Sequence, residues 1–455
     1  MNMSDIEFDR DLCVDDFSTN LDATPCFSFD NSLLLPPNLM TISDIESEQQ
    51  LSAEEYDEEY TEEYAKELAE KVNTSLAGTF FDNILNLPTK LMTISNFEFR
   101  LVKFFDVYCI NLFSFGADKY VDTIWRRHVP HYFCRSSLIR LAVFLFSCLN
   151  LWPIYEYQKF GQDSSNDDDI YLRTTMYFAN AVREKNSAIN RLMSLTEDEA
   201  SSLEGVDLAA ELMFTSTLIF SFLGIHSHKL LPLISFNEGP KNDFLSVCEG
   251  LVNIREVCML RSGGQVQRYF WTARRIRSLK CKSIPITALL NEQLQEYFDD
   301  EIVDAALSLK RECYRELITI LQQLLRTGSK HNYPIPVFIW VLVIDNTLFK
   351  YIRSKDFFAL RLLYVYACLC QISRFLLNLL QNMWIDYIHW FRDYNIKLFG
   401  DWKYAFDKGF FNLVKSEFLI DVGKCAIYDT LDPGAYADFS EHLISEVMNK
   451  FPTTC

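Results

Sequence analysis

Apolar residues recur every three to four positions throughout residues 287–327, and this spacing constrains the fold more than any other feature of the sequence. The members of the series are Leu290, Leu294, Phe298, Ile302, Ala306, Leu309, Cys313, Leu317, Ile320 and Leu324. Because an α-helix turns once every ~3.6 residues, such side chains share one helical face. The series predicts one long amphipathic helix, or two helices bent together.

The same helical character extends through most of the chain after residue 86. Eight further segments are predicted to be helices: 91–113, 138–152, 170–195, 206–225, 243–261, 335–352, 356–381 and 383–399. The 455 residues include only 14 glycines and 13 prolines, and no long run alternates between apolar and polar residues as a half-buried strand would. We therefore predict an all-α fold, with a large single multi-helical domain over residues 81–455.

Charge is concentrated at the start of the chain. Residues 1–71 carry 20 acidic and 3 basic side chains, whereas the remainder has a net charge of −2. We predict a mostly disordered acidic N-terminal arm, residues 1–80, with a helix near 52–72 that has capping-box spacing at Ser52 and Glu55. The arm either folds on a partner or only aids solubility. Because it repels nucleic acid, we expect no direct sequence-specific DNA binding through it.

The thirteen cysteines indicate a reducing compartment rather than a disulfide framework. The chain starts with acidic residues and no apolar leader, and no pair of cysteines has the C-x-x-C spacing common at zinc sites. We expect buried free thiols and no bound metal. The longest apolar runs are shorter than, or interrupted within, the ~20 residues that cross a bilayer, so we predict no membrane span.

A repeat links the arm to the domain. Residues 29–46, FDNSLLLPPNLMTISDIE, match residues 81–98, FDNILNLPTKLMTISNFE, at twelve of eighteen positions. The second copy leads into the first helix of the domain. The first copy is either a duplication without a role or a docking peptide that competes for the groove of the second copy, on the same chain or on another copy. The apolar residues of that peptide would be Phe29, Leu33, Leu35, Leu39, Met40 and Ile42.

A basic segment, residues 268–282, contains six cations and no acidic residue. The cations are Arg268, Arg274, Arg275, Arg277, Lys280 and Lys282. The composition fits a nuclear import signal or a docking patch for phosphate or for the acidic arm. The alternative is a solvated loop that leads into a helix.

The chemistry of an enzyme is missing from the sequence. There is no G-x-S-x-G, no H-E-x-x-H and no glycine-rich phosphate loop, and no nucleophile and base can be paired. His226 and His228 are predicted at a helix end rather than at a metal. We predict that the protein is not an enzyme and needs no cofactor. The aromatic residues of 335–411 permit an apolar ligand pocket.

Two stretches resemble one known family. In the first stretch, residues 97–153, a tryptophan is followed by Val-Pro and then by an apolar helix that starts Ser-x-Leu. In the second, residues 333–391, two prolines are followed by Ala-Leu, a tyrosine-rich helix and a helix with two tryptophans. These residues are Trp125, Val129, Pro130, Ser137, Leu138, Leu149, Leu151, Pro334, Pro336, Ala359, Leu360, Tyr364, Tyr366, Trp384 and Trp390. Their order over about 90–400 resembles the regulatory (middle homology) domain of fungal zinc binuclear-cluster transcription factors, and within that family it resembles the yeast regulators, including the sterol-uptake control factors.

The resemblance implies a nuclear transcriptional regulator or co-regulator that acts through protein–protein contacts, as a dimer or with related zinc-cluster factors, and that binds an apolar ligand. The six-cysteine zinc module of the family has no counterpart here, so its DNA-binding function is not carried over. Two alternatives remain. The first is a structural scaffold, the role of a yeast kinetochore subunit that has this domain type. The second is a lipid or sterol receptor, as the resemblance to the sterol regulators implies.

Overall fold

The computed structural model describes most of the chain after residue 94. The described ranges are 95–114, 124–159, 170–226, 230–236, 242–266, 283–299, 305–344, 346–373, 381–421, 423–439 and residue 443. The chain divides into residues 1–52 and 53–455, and every described residue belongs to the second unit. The predicted arm and its boundary at residue 80 lie outside these ranges.

The structure describes eight helices in the first half of the domain. They are α1 (Asn96–Phe104), α2 (Asn111–Ser114), α3 (Val129–Arg135), α4 (Ser137–Lys159), α5 (Ile170–Ser194), α6 (Glu197–Ser201), α7 (Leu203–Ile225) and α8 (Phe244–Arg261). Two π-helical turns, Phe105–Cys109 and Ile124–His128, precede α2 and α3. The predicted helix 91–113 is therefore interrupted by a π-helical turn.

Eight more helices are described in the second half. They are α9 (Pro285–Asp299), α10 (Ala305–His331), α11 (Ile335–Phe338), α12 (Trp340–Val343), α13 (Asn346–Arg353), α14 (Phe357–Ile372), α15 (Met383–Phe399) and α16 (Ala405–Lys415). Two short 3₁₀ helices follow, Cys425–Asp429 and Pro433–Tyr436. The described residues contain no β-strand, only an isolated bridge between Ser373 and Ile420, so the all-α prediction is confirmed for them.

Residues 287–327 take the second of the two predicted forms, with α9 and α10 as separate helices. The prediction of one helix over 335–352 is wrong, because the chain breaks after Phe338 and again after Val343. At both breaks a side chain from another helix binds a backbone carbonyl that a continuous helix would use: the hydroxyl of Tyr366 donates to the carbonyl of Phe338, and Arg255 donates to that of Leu342. Trp340 is completely buried, and its indole N–H lies 3.3 Å from the carbonyl oxygen of Leu317.

Two apolar helices, α7 and α14, form the centre of the domain. Every side chain of α14 is buried, and α7 is buried along most of its length, packed against α4, α5 and α8. Both begin at a capping side chain, since Ser202 accepts from the backbone N–H of Gly205 and Asp356 from that of Ala359. Within the described ranges α7 is the one helix long and apolar enough to cross a bilayer, and 89% of its most apolar window is buried by the protein itself.

Nine cysteines lie in the described ranges, and all nine are free thiols. Seven are buried, and the other two, Cys134 and Cys313, are partly exposed. The expectation of buried free thiols is confirmed for those seven. They pack as small apolar side chains of the core.

Candidate ligand pocket

An apolar pocket of about 160 Å³ lies where α7, α8 and the α11–α12 segment meet the turn that carries Trp125. Its walls are Phe113, Ile124, Trp125, Met213, Phe214, Ser216, Thr217, Phe220, Ser221, Leu251, Val252, Arg255, Tyr333, Ile335, Pro336, Phe338, Ile339, Leu342 and Val343. The deeper walls are buried, whereas Thr217, Arg255, Ile335, Ile339 and Leu342 are partly exposed. The pocket therefore reaches the surface on the side of these five residues.

One face of α7 supplies the floor of the pocket. Met213, Ser216, Thr217, Phe220 and Ser221 follow one another at the three- and four-residue spacing that aligns side chains on a helix. Three of the four hydroxyl side chains of this helix, at 216, 217 and 221, line the pocket, and Thr215 does not. The floor is therefore mostly apolar but carries hydrogen-bonding groups.

Aromatic rings form the two side walls. The ring of Trp125 stacks on Phe113 with centroids 4.1 Å apart and meets the edge of Phe214 at 5.9 Å. On the other side Phe220 contacts Phe338 at 4.9 Å between centroids. Such contacts hold the rings in fixed orientations, so the walls are largely preformed.

Arg255 is the one charged side chain among the described lining residues. It extends from α8, and its Nη1 donates a hydrogen bond to the carbonyl oxygen of Leu342, which ties α8 to α12. Burial lowers the pKa of Arg255, and the nearby Glu256 carboxylate offsets this only in part. Within the described part of the chain no carboxylate forms an ion pair with Arg255. The guanidinium thus lies in an environment that disfavours its charge.

One polar group of the pocket has no hydrogen-bond partner. The hydroxyl oxygen of Ser216 makes no hydrogen bond, and the residue is buried, with only 6% of its surface exposed. Its neighbour Thr217 differs, because its hydroxyl donates to the carbonyl of Met213 at 3.0 Å. A buried hydroxyl without a partner costs free energy that a bound polar group can recover.

The size of the pocket restricts its ligands. An apolar cavity of ~150 Å³ is known to hold benzene, whereas drug-sized ligands occupy pockets of ~300–1,000 Å³. At about 160 Å³ the pocket accommodates one aromatic ring or a branched chain of similar size. A sterol is too large for the pocket in this conformation.

The other candidate residues from the sequence have different outcomes. The docking peptide, Phe29 to Ile42, and the basic segment 268–282 lie outside the described ranges. Among the described residues of the aromatic stretch 335–411, those that reach the pocket lie within 335–343, whereas Tyr364, Tyr366 and Trp384 are packed in the core. Sequence reasoning missed Ser216 and Arg255. The available signal was the polar run Thr-Ser-Thr, residues 215–217, within an apolar helix.

The described ranges contain no group of three side chains suited to a metal ion. The thiols of Cys148 and Cys258 are poor nucleophiles, because burial raises the pKa of each to about 12. The pocket itself contains no base beside its serine hydroxyls.

Comparison of the chain with protein-family models, curated proteins and solved structures found no match.

Proposed function

We propose that this chain is a nuclear transcriptional regulator or co-regulator whose helical domain binds a compact apolar molecule and acts through protein–protein contacts. The observation that carries the ligand-binding part is the preformed apolar pocket between α7, α8 and the α11–α12 segment. The regulatory part is supported by the sequence resemblance and by the acidity of residues 1–71. An acidic segment of this kind meets basic protein surfaces.

The pocket also offers a route from ligand to partner. Its walls come from segments far apart in the sequence, including the Trp125 turn, α7 and the α11–α12 segment. A ligand that contacts all three stabilises their mutual packing, because it binds the folded arrangement and not the separated one. Binding can therefore change which surfaces the domain presents to a partner.

The ligand-binding part is tested with benzyl alcohol, a neutral probe of one ring. We expect it to raise the melting temperature of the full-length protein in a concentration-dependent way, with ~2.7 kcal/mol of stabilisation at a hundred times its Kd. The variant Ser216→Leu extends a side chain into the pocket and should abolish the shift. Ser194→Leu adds the same atoms on the exposed surface of α5 and should keep it. An equal shift in all three proteins would refute binding in this pocket.

The regulatory part is tested by chromatin immunoprecipitation of the tagged protein, with and without each candidate partner factor. We expect promoter association that depends on a partner. Association that survives the loss of every such partner would overturn the proposal. A stoichiometric complex found only away from promoters would instead support the scaffold alternative.

A further inference from the structure

Arg255, the one cation among the described lining residues, has hydrogen-bond donors that can bind a ligand. One donor of Arg255 is taken by the carbonyl of Leu342, and its Nε and Nη2 make no hydrogen bond to any residue. Neither of these atoms is sealed from solvent, unlike the buried nitrogens of Arg353 and Arg361. A planar guanidinium with free donors matches the two oxygens of a carboxylate.

The rest of the pocket separates the polar end of a ligand from its apolar body. Phe214, Phe220 and Phe338 form the apolar walls, and no Asp, Glu, Lys or His is among the described lining residues. A cationic ligand would therefore find no counter-ion among these residues, and Arg255 would repel it. The buried hydroxyl of Ser216 adds a donor without a partner.

We propose that the pocket binds a compact monocarboxylate, with an aromatic ring or branched chain among the phenylalanines and its carboxylate on Arg255. This inference rests on the proposed ligand-binding function and adds the chemical class of the ligand. The pocket volume of about 160 Å³ limits the apolar body to about one ring. The carboxylate also relieves the unfavourable burial of the guanidinium, because an anion nearby stabilises the charged form.

A structural role of Arg255 is the competing explanation. Its hydrogen bond to Leu342 fastens α12 to α8, and this bond gives the arginine a role in the fold without any ligand. The two roles give different results in a binding experiment. A fastening residue changes the affinity for all probes alike, whereas an anion anchor changes the affinity for carboxylates alone.

The experiment uses three probes of equal ring size: 4-fluorobenzoate, 4-fluorobenzyl alcohol and 4-fluorobenzylamine. Their dissociation constants for the full-length protein are measured by fluorine NMR. We expect the carboxylate to bind at least about tenfold more tightly than the alcohol, since hydrogen bonds to charged groups contribute ~1.5–3 kcal/mol. The amine should bind most weakly.

Variants assign that preference to Arg255. Arg255→Met should bring carboxylate and alcohol to about equal affinity and leave the alcohol constant within about threefold. Arg255→Lys keeps the charge and should retain part of the preference, because an ammonium group lacks the planar fork of donors. Equal affinities for carboxylate and alcohol in the unmodified protein would overturn the inference and leave the proposed ligand binding intact. No binding of any probe would overturn both.

Discussion

Arg361 of α14 and Asp407 of α16 form an ion pair that is completely buried. The Nε of Arg361 lies 2.9 and 2.7 Å from the two oxygens of Asp407, and neither side chain is exposed. The guanidinium also lies over the ring of Tyr404, with its central carbon 4.1 Å from the ring centroid, and donates to Gln293 of α9. The pair therefore joins three helices at one point.

Removal of one partner should destabilise the protein strongly. Asp407→Leu leaves the Arg361 charge buried without its counter-ion, so we expect a loss of ~3–5 kcal/mol in the free energy of unfolding. The double variant Arg361→Met/Asp407→Leu should recover much of this loss, because an apolar pair of similar volume carries no charge to bury. Urea unfolding of the three proteins measures the effect.

The control is the exposed pair between Glu312 and Arg315, whose side chains are 66% and 48% exposed. Glu312→Gln should change the free energy of unfolding by less than ~0.5 kcal/mol. A similar loss for Glu312→Gln and Asp407→Leu would contradict the importance of burial at Arg361.

Arg361 also shows where sequence reasoning stops. The apolar character of 356–381 predicted α14, but one arginine within sixteen buried residues gives no local sign of its partner. Asp407 lies two helices later, and only the packing of α14 on α16 brings the two together. Local sequence determines helices through a 3.6-residue period, whereas contacts between helices depend on side chains from distant segments.

The residues that line the pocket were beyond prediction for the same reason. Its walls combine Trp125, Phe214 and Phe338, which no periodicity connects, and a cavity depends on how well their rings fill the space. The breaks at Ile339 and Ile344 were missed because residues 335–344 are all apolar, and an apolar run does not show where a helix ends. The expectation of an apolar pocket remains a prediction until a ligand is bound.

The pH dependence of stability should include a contribution from Asp243. This buried carboxylate caps α8 and accepts from the backbone of Ser246 at 2.7 Å, from that of Ser235 at 2.9 Å, and from Arg353 at 3.1 Å on each oxygen. Burial raises the pKa of Asp243, but these hydrogen bonds, with that from Arg353 the largest, outweigh it and lower the pKa overall. A lowered pKa means that the folded state favours the ionised carboxylate.

Acid should therefore remove the stabilisation that Asp243 provides. The contribution of Asp243 is complete above the unfolded pKa of ~3.9 and is lost as the pH falls below it towards the lower folded pKa. Asp243→Asn should therefore flatten the decline in the free energy of unfolding below about pH 4. Arg353→Met should reduce the same decline, because it removes the largest cause of the lowered pKa. Urea unfolding between pH 2 and 7 tests both, and an unchanged acid decline in Asp243→Asn would contradict the assignment.

Replacement of two buried threonines by valine should change the free energy of unfolding in opposite directions. The hydroxyl of Thr215 in α7 is buried and makes no hydrogen bond, whereas that of Thr327 in α10 donates to the carbonyl of Gln323 at 2.7 Å. Thr215→Val removes an unsatisfied polar group and keeps the shape, so we expect stabilisation by ~1 kcal/mol. Thr327→Val loses a hydrogen bond and should cost ~0.5–1.5 kcal/mol. Melting curves of the two variants provide the comparison, and destabilisation by both would show that the Thr215 hydroxyl is satisfied in solution.

Gly224 sets the position of a pocket wall. A Cβ at this residue would lie 2.4 Å from the Cζ of Phe338, far inside van der Waals contact. Phe338 cannot simply retreat, because its ring packs on Phe220 with centroids 4.9 Å apart and on Trp384 at 6.1 Å. The carbonyl of Gly224 in turn accepts from the indole N–H of Trp384 at 2.9 Å, which fixes the backbone. An added methyl group must therefore displace Phe338, and the pocket beside it offers the available space.

Gly224→Ala should consequently cost ~1–3 kcal/mol of stability through overpacking, despite the helix propensity of alanine, and should weaken the binding of benzyl alcohol. Phe338→Leu in the same chain relieves the clash and should restore part of the stability. Gly250 in α8 is the matched control, because a Cβ there meets no atom within 4 Å. Gly250→Ala should stabilise the protein by up to ~1 kcal/mol and leave probe binding unchanged. If both alanine variants gained stability and bound the probe normally, Phe338 would not occupy the position that makes it a wall of the pocket.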